Sequence, residues 1–199
     1  MIKNVVFDLG NVLVDFTPNE YLEALGYTGE IKDTLMKIIF NGNEWREYDR
    51  GFYLHNTDLQ AKLISDHPEY AKDIQRIIDN DWVKTHILKD DTVEFLKDVK
   101  TDGKRVFILS NLSIDSYEFI TKMDFFKLVD GGVYSYQIMC CKPDKGIYDE
   151  LINKYHLIPD ETVFFDDRYE NIEAANKLGI HGIQFLDISQ AKADYYKIG

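Results

Sequence analysis

Cysteine is nearly absent: the 199 residues contain only Cys140 and Cys141, side by side. Two adjacent cysteines give no disulfide framework, and reduced thiols in a cytoplasmic protein are expected. Lys142 beside them favours a reactive thiol, against which a structural role is the ordinary reading. Basic residues are also scarce, 23 Lys and Arg against 35 Asp and Glu, for a formal net charge of −12. That balance argues against nucleic acid and against an anionic membrane as partners. It leaves room for a small anionic ligand, which needs only a local positive site. No apolar run approaches the length of a membrane span. The first residues, Met1 to Asn4, lead directly into an apolar strand, so no signal peptide is expected. The five histidines show neither H-E-x-x-H nor zinc spacing. There is no internal repeat and no low-complexity segment. What remains is an ordinary globular composition, 45% apolar and 29% charged, in a chain long enough for one or two domains.

The apolar strand Val5 to Phe7 ends abruptly on Asp8, and Gly10 follows. A carboxylate at the carboxyl end of a buried parallel strand lies where open α/β sheets place their ligands. From about residue 19 to 88 the pattern becomes helical, as in Leu59, Leu63 and Ile64 or Ile74, Ile77 and Ile78. From Asp90 an α/β rhythm resumes. Asp90 or Asp91 is placed to cap a helix that Gly103 stops. Buried strands are predicted over 105–110 and 162–165, with shorter ones at 132–135 and 181–185, separated by helices. This order predicts crossover connections and a mostly parallel, Rossmann-like sheet with helices on both faces. The expected core domain is 1–16 with 89–199, and residues 17–88 form an inserted helical cap above the carboxyl edge of the sheet.

The predicted strands end on polar groups: Asp8, then Ser110 with Asn111, then Asp166 with Asp167. Lys142, followed by Pro143, lies between the last two. Each alone reads equally well as a turn or a helix cap. Together they have a chemical logic. Three carboxylates need a cation, and oxygen-only ligands favour Mg²⁺. A hydroxyl, an amide and an ammonium beside that ion make a phosphate site, and an aspartate in reach of the phosphorus can act as nucleophile.

These segments, F-D-L-G-N-V-L at 7–13, L-S-N at 109–111, C-K-P at 141–143 and F-F-D-D-R-Y-E-N at 164–171, resemble the four motifs of the haloacid dehalogenase-like hydrolases. The resemblance covers the whole chain, and the first and last segments look most like the subgroup containing a bacterial α-D-glucose-1-phosphate phosphatase. It implies a Mg²⁺-dependent phosphatase acting on a small phosphorylated metabolite, a sugar phosphate among the candidates. Asp8 would form an aspartyl-phosphate and bind the metal with the Gly10 carbonyl and Asp167, while Asp166 supports the metal shell. Ser110, the Asn111 backbone and Lys142 would hold the phosphoryl oxygens. Asn171 would orient Lys142 or an aspartate, or simply face solvent. In the cap segment W-R-E-Y-D-R-G, Trp45 would pack on a sugar face and Arg50 would contact substrate; the plainer alternative makes Trp45 and Tyr48 cap core and Arg50 a surface ion-pair partner.

One position departs from the pattern. Most phosphatases that the chain resembles carry a second aspartate two residues after the first, as general acid and base, and here that residue is Gly10. Losing a general acid typically costs about 10²–10⁴ in rate. Either the substrate carries an activated leaving group, or Asp15 or a cap residue stands in. Two other readings stay open: a catalytically silent binder of a phosphorylated ligand or partner, and a metal-independent 2-haloacid dehalogenase, which also lacks that aspartate. A monomer or homodimer is expected, with Tyr195 and Tyr196 as exposed aromatics near the C-terminus.

Overall fold

A computed structural model describes residues 1–198. Seven strands occur in chain order: β1 Asn4–Phe7, β2 Val14–Phe16, β3 His86–Leu88, β4 Arg105–Ser110, β5 Gly131–Tyr134, β6 Thr162–Asp166 and β7 His181–Gln184. Five form one sheet in the order β5-β4-β1-β6-β7, every pair parallel. The first strand is therefore central, flanked by the two strands that carry the other polar ends.

Five α-helices lie between β2 and β3: α1 Pro18–Ala24, α2 Gly29–Leu35, α3 Asn43–Arg50, α4 Asn56–Asp66 and α5 Ala71–Ile78. Six follow: α6 Asp90–Thr101, α7 Ile114–Ile120, α8 Ser135–Ile138, α9 Lys145–Tyr155, α10 Tyr169–Lys177 and α11 Ile188–Ile198. Alternation of side chains along each strand separates two cores. Val5, Phe7, Ile108 and Phe165 pack with α6, α7 and α11 on one face. Val6, Phe107, Leu109 and Phe164 pack with α9 and α10 on the other. A third cluster, around Trp45, Tyr48, Trp82 and the apolar faces of α1 to α5, belongs to the inserted helices.

The helical run was expected to contain little strand, yet β2 and β3 form an antiparallel ribbon at its two ends. Each strand has three residues, too short to show a period, and the pairing exists because the chain leaves and re-enters the sheet at one place. The ribbon also moves the start of α6. The Lys89 amide donates to the Leu13 carbonyl at 3.0 Å, so the helix begins at Asp90 with Lys89 before it and no side-chain cap. Asp91 instead accepts from the Thr92 amide. Gly103 ends the helix as expected, with φ of +74°. Tyr195 is not exposed: it packs edge-on against Phe95, with ring centroids 5.5 Å apart, and only Tyr196 faces solvent.

The inserted helices are tied to the sheet along α3. The Tyr48 hydroxyl donates to Asp115, the Ser135 hydroxyl donates to the Asp49 carbonyl, and the Asn56 amide donates to Asp115 at 3.1 Å. Gly51 closes α3 in a left-handed conformation, φ +89°, and a Cβ there would strike the Tyr136 backbone carbonyl. Gly51→Ala is expected to lower the unfolding free energy by about 1–3 kcal/mol, measured by urea unfolding, through combined strain and overpacking.

Candidate active site

Register brings the polar strand ends together. Phe7 pairs with Ile108 on one side and with Phe165 on the other. Asp8 thus lies level with Asp166 and one residue short of Ser110. The Asp8 amide continues the ladder by donating to the Phe165 carbonyl at 2.9 Å. Asp8, Asp166 and Asp167 offer carboxylate oxygens that all lie within 4.8 Å of one another.

Lys142 reaches this cluster from the segment before α9. Its buried ammonium lies 2.8 Å from Asp8 Oδ1 and 2.6 Å from Asp166 Oδ2, and it donates to the Leu109 carbonyl at 2.9 Å. Asn111 fixes the lysine's backbone: its side chain donates to the Lys142 carbonyl at 3.0 Å and accepts from the Lys142 amide at 2.7 Å. Asn171 faces inward, not to solvent, and its amide donates to both Asp166 oxygens at 2.9 and 3.0 Å. The Arg168 amide adds a further bond to Asp166. Asp166 is therefore engaged on both oxygens and serves to hold Lys142. Asp167 has one bond of this kind, from the Asn11 side chain at 2.9 Å.

Charge at this edge is unbalanced. Burial raises the Asp8 carboxyl to about 7, with Lys142 opposing the shift and Asp166 adding to it. Burial likewise raises Asp167, opposed by Asn11 and reinforced by Asp166. Burial works against the Lys142 charge, but the Asp166 and Asp8 carboxylates outweigh it and hold the ammonium above its ordinary range. One cation among three carboxylates, with only oxygen donors around it, fits a hard divalent ion such as Mg²⁺.

The cluster forms the floor of a cavity of about 270 Å³. Gly10 and Ser110 line that floor, while Phe16, Trp45, His86 and Arg50 line the walls toward the inserted helices. Trp45 is largely buried in the cap cluster, stacked near Phe16 at 5.9 Å between centroids, so it is core and cavity wall at once. Tyr48 is core alone. Arg50 pairs with Glu47 at 3.5 Å, yet its Nε is buried without a partner. Cys141 also lines the cavity, its thiol pushed up by burial against the opposing effect of Arg50, which disfavours the reactive thiolate. Asp15 points elsewhere: Val14 and Phe16 line the cavity, and the residue between them pairs with Lys89 at 3.1 Å on the other side of the ribbon.

A family profile for haloacid dehalogenase-like hydrolases matches residues 2–179. The chain belongs to that family. Among curated hydrolases it is 28% identical over 202 residues to a D-ribitol-5-phosphate phosphatase of Bacteroides thetaiotaomicron, covering 92% of each chain. It is 25% identical over 188 residues to a sesquiterpene phosphatase of Aspergillus oryzae, covering 93% of this chain and 90% of that one. A family enzyme from B. thetaiotaomicron, solved with magnesium and inorganic phosphate, superposes with a TM-score of 0.73 at 20% identity over 92% of this chain and 94% of the other. This haloacid dehalogenase-like hydrolase has no helix, among its described residues, long and apolar enough to cross a membrane.

One further cavity group lay outside the expected set. Asp49, near the end of α3, lines the cavity, and its carboxyl is raised from its ordinary 3.8 to about 8 by burial, with the Ser113 amide opposing and the Asp8 charge adding. Between those two values the folded hydrolase binds the proton that the unfolded chain has released. Asp49 therefore contributes a penalty absent below about pH 4, growing through the window and complete above about pH 8. Asp49→Asn removes that penalty. It is expected to raise the unfolding free energy at pH 9 by on the order of 2 kcal/mol and to leave it nearly unchanged at pH 4, compared by urea unfolding at both pH values.

Proposed function

We propose that this hydrolase is a Mg²⁺-dependent phosphatase that removes phosphate from a small metabolite through an aspartyl-phosphate on Asp8. The observation that carries the reading is the buried Lys142 ammonium between Asp8 and Asp166, with a third carboxylate, Asp167, facing the same cavity. Asp8, the Gly10 carbonyl and Asp167 would hold the metal, with Asp166 behind them. When bound, Mg²⁺ neutralises charge between the nucleophile and the phosphoryl group and so lets two anions meet.

The protein's own groups do the rest. The Asp8 carboxylate attacks phosphorus, kept in position by the Leu9 amide, which donates to its Oδ1 at 2.7 Å. Lys142, Ser110 and the Asn111 backbone amide donate to the phosphoryl oxygens, and their fixed positions favour the charge that develops in the transition state. Residues 17–88 act as the cap that selects substrate, with Trp45 presenting an aromatic edge and Arg50 an unpartnered donor to the cavity. A small polyol or sugar phosphate suits a cavity with a polar floor and a mixed aromatic and cationic wall, and the bacterial relative named for such a substrate supports that choice. A phosphate ester of an apolar alcohol is the second candidate, supported by the fungal relative.

The three-carboxylate cluster also speaks against a metal-independent dehalogenase, which needs one carboxylate to attack carbon. In a phosphate-release screen over phosphorylated metabolites, activity is expected with Mg²⁺ and not with a chelator, and Asp8→Asn is expected to cost at least about 10³-fold. Halide release from 2-chloropropionate that survives chelation would establish the dehalogenase reading instead. Binding of phosphorylated ligands without turnover would establish the silent binder.

A further inference from the structure

Gly10 leaves the nucleophile's own loop without a proton donor. Space does not force this: a Cβ on Gly10 would meet no atom within 4 Å, and its φ is not left-handed. The expected stand-in on that loop, Asp15, faces away from the cavity and is half exposed beside Lys89. Within the cavity the carboxyl groups are Asp8, Asp167 and Asp49. The first two belong to the metal and nucleophile cluster, of which Asp49 is not a member.

We propose that Asp49, supplied by the cap, is the general acid and base of this site. The assignment rests on the phosphatase reading above and identifies the group that reading lacks. In the first step a bond forms between an Asp8 oxygen and phosphorus. The bond from phosphorus to the departing alcohol oxygen breaks, its electron pair stays on that oxygen, and the Asp49 carboxyl delivers its proton there. In the second step the Asp49 carboxylate takes a proton from water as the water oxygen attacks phosphorus. The bond to Asp8 breaks, and its electron pair restores the Asp8 carboxylate. Protons and charges balance over the cycle, and Asp49 ends as it began.

Position and pinning both support the role. Asp49 lines the same cavity as Asp8, near enough for the Asp8 charge to act on it, and it comes from the inserted helices rather than from the strand ends. Its backbone is fastened to the sheet domain by the Ser135 hydroxyl. Tyr48, just before it, is fixed through Asp115, and Gly51, two residues after it, lies close against Tyr136. The carboxyl rests beside the Ser113 amide, on the segment that leaves β4. The helix that carries the acid is therefore fastened to the sheet that carries the nucleophile, despite arriving from a different module.

The charged and titratable groups around it fit a proton carrier. Arg46 and Arg50 come from its own helix, Asp8, Lys142 and Asp167 from the floor, Cys141 from the segment before Lys142, and His86 from β3. Tyr48 is committed to Asp115, and burial keeps His86 neutral against the opposing Val83 carbonyl. Burial keeps Asp49 protonated near neutral pH, the state the first step requires.

The test compares two probes of similar size and different leaving group, 4-nitrophenyl phosphate and benzyl phosphate, with Mg²⁺ in the wild type and in Asp49→Asn. The wild type is expected to hydrolyse both. In the variant, benzyl phosphate cleavage should fall by about 10²–10⁴-fold. The first-turnover release of nitrophenolate, which needs little proton assistance, should change by less than about tenfold. That release should appear as a burst of one equivalent followed by a slow steady state, because the aspartyl-phosphate now lacks its base. Equal losses on both probes, or unchanged benzyl phosphate cleavage, would overturn the assignment while leaving the phosphatase reading intact. A wild type that releases phosphate from neither probe would overturn both.

Discussion

The arrangement depends on one buried cation. Lys142 brings its ammonium between Asp8 and Asp166 at the carboxyl edge of the sheet, where both carboxylates are buried. Burying an ion pair seldom adds stability over an apolar alternative, because the desolvation cost rivals the attraction. Here the balance is worse than usual, since the three clustered carboxylates share a single ammonium. The sheet tolerates it because the surroundings are fixed in advance. Asn111 clamps the lysine backbone, Asn171 and the Arg168 amide fill the oxygens of Asp166, and the Leu109 carbonyl takes another lysine proton. The site is thus a region of stored electrostatic cost, supported by a core that is apolar on both faces of the sheet. A divalent cation of the kind proposed above would relieve such a cost, and accepting it is the usual trade between stability and function at active sites.

The same constraint explains why the site needs a second module. An open sheet edge presents its polar groups to water, and a carboxylate nucleophile works poorly when fully hydrated. The inserted helices and the ribbon at their base cover that edge with Trp45, Phe16 and His86, leaving a cavity rather than a surface. Their aromatic cluster, in which Trp45 meets Trp82 edge-on at 4.9 Å between centroids, makes the cover a packed body of its own. The short ribbon of β2 and β3 anchors both ends of that body, and the seam along α3 sets its orientation.

Much of this was legible in the chain and some was not, for physical reasons. The central strands announce themselves because they are buried on both faces and read as continuous apolar runs ending on Asp8, Ser110 and Asp166. Lys142 is legible because an ammonium followed by Pro143, lying between two such strands, matches a family motif. Asn171 was ambiguous: one turn into a helix, an asparagine looks the same whether it faces water or a buried aspartate. The ribbon was not legible, since three residues carry no period and its pairing is set by tertiary return. Trp45 was read as either core or substrate surface; it lies in the cap core and also lines the cavity, a combination that has no sequence signature.

Asp49 is the most instructive of the residues that the sequence hides. It stands in W-R-E-Y-D-R-G among other charged residues on an amphipathic helix, where a solvated face is the natural reading. What separates it from Glu44 or Glu47 is the direction α3 takes after the Tyr48 hydroxyl finds Asp115, and that contact joins residues 67 positions apart. An acid placed on the nucleophile's own loop would be present whether or not the cap is seated. An acid placed on α3 makes proton transfer conditional on the seam, so the cap's fit to the sheet and to the substrate enters the chemical step directly. On that account Gly10 is not a lost function. Under the proposed assignment, the proton donor is carried by the inserted helices, the same module proposed to select the substrate.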